Sequence, residues 1–91
     1  MRAPTIHLNG TSADALLDQY WAAFDALQTA IGVLQDAAPN ARDYYPQGDG
    51  AFHEAAREHK ARLASLHGVL AEVSALTNHV QEQIDNQTRR Q

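Results

Sequence analysis

The sequence predicts an all-α fold: an antiparallel two-helix hairpin behind a short extended N-terminal segment, oligomerising into a helical bundle. Three observations carry this. Leu17, Tyr20, Phe24, Leu27, Ile31, Leu34 and Ala38 recur at alternating spacings of three and four, which lines one face of a helix. A second seam of the same kind runs through Phe52, Ala56, His59, Leu63, Leu66, Leu70, Val73, Thr77, Val80 and Ile84. Between them, Asn40 to Gly50 holds Pro46, Gly48 and Gly50, residues suited to reversing a chain.

Taken in order, residues 1–10 form an extended arm. Ile6 and Leu8 alternate with His7 and Asn9, so one face can lie on an apolar surface. Asn9-Gly10 signals a turn. Thr11 follows as an N-cap, with Asp14 three residues on in a capping-box-like start. The first helix is expected over 12–38 and ends at Pro39. It carries Asp14, Asp18, Asp25 and Asp36 but no Lys or Arg, so its outer face is acidic. Residues 39–50 form the loop. The second helix is expected over 51–86, with Val69 and Leu76 widening its stripe and the pairs Glu54/Arg57 and Glu58/Arg62 on its surface. Residues 87–91 are a polar tail.

Helix lengths of ~40 Å and ~54 Å follow from the 1.5 Å rise. The second helix then overhangs the first, and Val80 and Ile84 need a cover from Ile6, Leu8 and another chain. With 91 residues and no cysteine, one domain of this kind buries little surface and gains no stability from disulfides. A homo-oligomer is expected. The net charge of -4 argues against a nucleic-acid polymer as partner. No apolar run suits a membrane span or a Sec-type signal, so the expected compartment is the cytoplasm.

The stretch Arg42-Asp43-Tyr44-Tyr45-Pro46-Gln47 is richer than a turn requires. A tyrosine pair beside Arg42 and Gln47 can stack on a planar ring and bond its edge. Gly48 and Gly50 allow backbone N–H groups at the next helix N-terminus to approach an anion. Arg57, one of three basic residues early in the second helix with Lys60 and Arg62, adds charge of the same sign. Asn9 and Thr11 join the candidate set as contributions from a neighbouring chain. The plain alternative has one tyrosine packing over the bundle end and the basic groups pairing with Glu54, Glu58 and nearby aspartates. Five histidines include no His-x-x-x-His pair, so no metal and no cofactor is expected. His59 reads as a hydrogen-bonded core residue. Phosphate fingerprints, nucleophile elbows and paired carboxylates are missing from the sequence, which points away from an enzyme.

The segments His7-Leu8-Asn9-Gly10-Thr11-Ser12 and Arg42 to Gly48 resemble those of small helical proteins encoded by phages and prophages. In architecture the chain is also similar to phage hairpin proteins that sequester cyclic nucleotide or ADP-ribose signals of bacterial immunity. That resemblance implies a small anionic, nucleotide-like ligand and a place in the host cytoplasm. The secreted WXG-type hairpins are a further resemblance, but the turn here carries Tyr44 and Tyr45 and the tryptophan, Trp21, lies mid-helix. A structural or protein-interaction hairpin, phage adaptor or WXG-like, is the alternative function.

Overall fold

The computed structural model describes residues 1–89. Two long helices, α1 (Ala13–Asp36) and α2 (Ala51–Arg89), pack against each other, with a short 3-10 helix at Ala41–Gln47 between them. No strand occurs among the described residues. The molecule is a rod of 67 × 21 × 20 Å.

Each helix end has a local cause, and several ends differ from expectation. Ser12, not Thr11, caps α1: its extended backbone leaves Oγ free to accept the Ala15 N–H at 3.2 Å. Position three of the helix is then Ala15, so no reciprocal capping box forms, and Asp14 acts only as an acid in the first turn. The helix stops at Asp36 rather than Ala38. The Ala37 and Ala38 N–H groups bond the carbonyls of Leu34 and Gln35, tightening the last turn before Pro39 disfavours helical backbone at Ala38. At the other end α2 runs on to Arg89, so 87–89 are helical and not tail. Arg90 and Gln91 lie outside the described residues.

The seam is the one expected, but its register is not. Ile31 and Gln28 share a hollow with His67 and Leu70, while Leu34 and Val33 share a groove with Leu66. Carried along both antiparallel helices, this pairing sets Ala13 level with Asn86 and Asp36 level with Leu63. The overhang of α2 is therefore its first three turns, next to the loop. Val80 and Ile84 lie within the paired length: Val80 is fully buried and Ile84 half-buried. The expectation failed because the loop is not slack. Residues 41–47 coil into a 3-10 helix that packs along the start of α2 and lets α1 sit further down.

The N-terminal arm is fastened at one point. Gln83 Oε1 accepts the Ile6 N–H at 2.8 Å, and Gln83 Nε2 donates to the Pro4 carbonyl at 2.9 Å. Ile6 is half-buried there, but Leu8 is 98% exposed. The alternation fails at Leu8 because the chain has begun to turn, with the Gly10 N–H on the His7 carbonyl at 3.1 Å. A Cβ at Gly10 would stand 2.8 Å from the exposed His7 ring, so a side chain there would have to displace that ring. Gln83→Ala removes both bonds of the clasp. It is expected to cost about 1–3 kcal/mol in thermal unfolding and to strip the Ile6 amide of exchange protection. Unchanged protection at Ile6 would mean that the clasp does not hold the arm.

Candidate functional site

The hinge is built on Asn40. Its side chain accepts the Arg42 N–H at 3.2 Å and its carbonyl accepts the Asp43 N–H at 3.0 Å, which starts the 3-10 helix. Three residues per turn puts positions three apart on one face. Ala41, Tyr44 and Gln47 therefore share one face, and Arg42 lies in line with Tyr45. Tyr44 turns inward, its ring centroid 6.5 Å from that of Phe52, whereas Tyr45 is 74% exposed. Gly48 (φ 96°) and Gly50 (φ 90°) take left-handed backbone that other residues resist, and this redirects the chain into α2.

Two shallow hollows flank Tyr44. One, of about 240 Å³, is framed by the rings of Tyr44, Tyr45, Phe52 and His53, with Asp49 at its edge. The other, of about 260 Å³, lies between Tyr44, Gln47, Glu54 and Glu58. The lining of both is aromatic or acidic, and no Lys or Arg contributes to either.

Of the residues singled out from the sequence, Tyr44 shares one hollow with Tyr45 and the other with Gln47, while Arg42 is exposed one 3-10 turn before Tyr45 and lines neither. Arg57 is exposed one turn past His53 on the same face of α2, outside the hollows. Asn9 and Thr11 are exposed at the far end of the rod, on the order of 50 Å from the hinge by helix rise. The expected basic patch is only partly free. Arg62 pairs with Glu58 at 3.5 Å, a solvated contact worth a few tenths of a kcal/mol. The expected Glu54–Arg57 pair is not formed, and no ion pair engages Arg42 or Arg57 among the described residues. Phe52, His53 and Asp49 were not singled out as site residues. Their part follows from the fold-back of the 3-10 helix, which no local pattern announces.

His59 is 8% exposed, as its seam position implies, but its buried Nε2 has no hydrogen-bond partner. The expectation of a hydrogen-bonded core histidine is therefore not met at that atom. The register carries it past the end of α1, so no side chain of that helix is level with it. Among the described residues no group of His, Asp and Glu is arranged to hold a metal ion, and no helix is long and apolar enough to cross a membrane. Compared with family models, curated proteins and solved structures, the chain matches none. The site rests on its geometry alone.

An unpaired buried polar atom costs about 1–3 kcal/mol. His59→Leu, which keeps the volume and removes that atom, is expected to raise the thermal midpoint. A fall would mean that Nε2 finds a partner in the assembled protein.

Proposed function

We propose that the chain is a non-enzymatic binding protein whose working surface is the hinge, and that its ligand is a small anionic molecule of nucleotide kind. The observation that carries this is the ring-framed hollow of about 240 Å³ on Tyr44, Tyr45 and Phe52. Base–aromatic stacking contributes on the order of 1–3 kcal/mol per base. Asp49 repels an anion inside the hollow, so the planar ring occupies it and the charged group stays at the rim. There Arg42 and the unpaired N–H groups that any helix leaves in its first turn are the available donors. The resemblance to phage hairpins supports sequestration of an immune signal over its turnover.

A second reading, a structural or protein-interaction hairpin, is favoured by a different observation. Val33 is 64% exposed on an apolar groove of about 540 Å³ along α1. A thermal-shift screen against mono- and cyclic oligonucleotides and ADP-ribose separates the two. The binding reading expects a rise in melting temperature for at least one nucleotide. Tyr45→Ala and Arg42→Ala should each abolish that rise while leaving helicity unchanged, because both side chains point to solvent. No response to any nucleotide, with binding to a protein partner instead, would give the second reading.

A further inference from the structure

The hairpin exposes more surface than its mass warrants. A folded monomer of 10.0 kDa is expected to expose about 5,200 Å² by the usual size law, whereas this chain exposes 6802 Å². The surplus of about 1,600 Å² per chain matches what obligate dimers cover, some 1,000–2,500 Å² on each partner. Ile31 and Val80 are the only buried large apolar side chains among the described residues, and only Val80 is fully so.

The surplus has an apolar location. Ala26, Ala30, Val33 and Ala37 of α1 form a groove with Leu66 of α2. His67 lies on the opposite flank of the seam, so the sense of the helix puts Val69, 45% exposed, on the side of Leu66. This face is centred near the level of Leu70, which is also the midpoint of Ala51–Arg89.

We infer that this face is covered by a second copy of the chain, packed antiparallel about a two-fold axis near Val69 to form a four-helix bundle. A self-complementary patch is what a two-fold pairing needs, and a standard bundle places helices this way. Charge selects the direction. The basic residues of α2 are Arg57, Lys60 and Arg62 near its start and Arg89 at its last residue, while Asp14 and Asp18 open α1 at the end away from the basic cluster. Antiparallel pairing sets these acids level with the basic turns of the second copy. Parallel pairing would set the basic turns level with each other. Antiparallel pairing also lays each hinge beside the other copy's Asn9–Ser12 turn. The pairing needs no ligand; only the use of Asn9 and Thr11 at a composite site rests on the binding reading above.

The chain has no cysteine, so a spin label on Gln47→Cys reports one position per copy. Antiparallel pairing is expected to separate the two labels by about 50 Å or more, from the helix rise to either side of the axis. A separation under about 25 Å would mean parallel pairing and would overturn the inference, because both hinges would then lie at one end. Loss of any inter-label signal, with a monomer by sedimentation at micromolar concentration, would overturn it as well. Val33→Asp puts a carboxylate into the proposed interface without touching the hairpin seam. It should yield a folded monomer of unchanged helicity per residue; a dimer that survives it pairs through another face.

Discussion

One apolar seam between two antiparallel helices in a fixed register carries this structure. Two helices can cover only one side of each other, so a hairpin leaves most of its apolar stripe half-buried. Leu17, Phe24, Leu27, Leu63, Leu70 and Val73 are all in that condition. Every secondary feature adjusts to the shortage. The N-terminal arm lies against α2 at Gln83, and the 3-10 helix covers the first turns of α2 beyond the reach of α1. Val80 shows the gain, because it is fully buried at the end where the arm crosses. Full burial of a valine contributes roughly 1.5–3 kcal/mol, a large share of the margin available to so small a chain.

The helices were legible because periodicity is a local property. Leu17 to Leu34 and Phe52 to Ile84 state which face turns inward without any knowledge of the partner. Pro39, Gly48 and Gly50 state where the chain must leave the helix, for reasons confined to their own backbones. Register is a different kind of quantity. It depends on how much length the connection takes up, and that depended on whether Ala41–Gln47 coils or hangs loose. Pro46 and the adjacent tyrosines gave no sign of a coil, so the overhang was assigned to the wrong end. The cap went to Thr11 for a related reason. Thr11 and Ser12 are both capable caps, and the choice between them is made by where the extended backbone gives way to helix, which is at Ser12.

The hinge was legible as composition but not as charge. Its tyrosines and Arg42 stand out against a chain that otherwise spends its residues on helix and seam. What sequence order could not supply is the sorting of groups by face. Coiling at three residues per turn aligns the exposed Arg42 with Tyr45, outside the lining of both hollows, and leaves Asp49, Glu54 and Glu58 around them. A site that looked basic along the chain is thus acidic in its concave parts and basic only at one edge. Any anionic ligand has to be bound asymmetrically, ring inward and charge outward.

That asymmetry connects the hinge to the apolar face. An open hollow of about 240 Å³ backed by one short 3-10 helix offers a ring little enclosure, and enclosure is what turns a stacking contact into affinity, because burial removes competing water. The far end of a single hairpin cannot help, since Asn9 and Thr11 lie a helix length away. A two-fold axis near the middle of α2 removes that distance without altering either chain. The proposed pairing covers the apolar face beside the seam and would set polar groups of one copy beside the hinge of the other. On the proposed pairing, the shortage of core in one hairpin and the shallowness of its hinge hollow have the same cause, and the second copy relieves both.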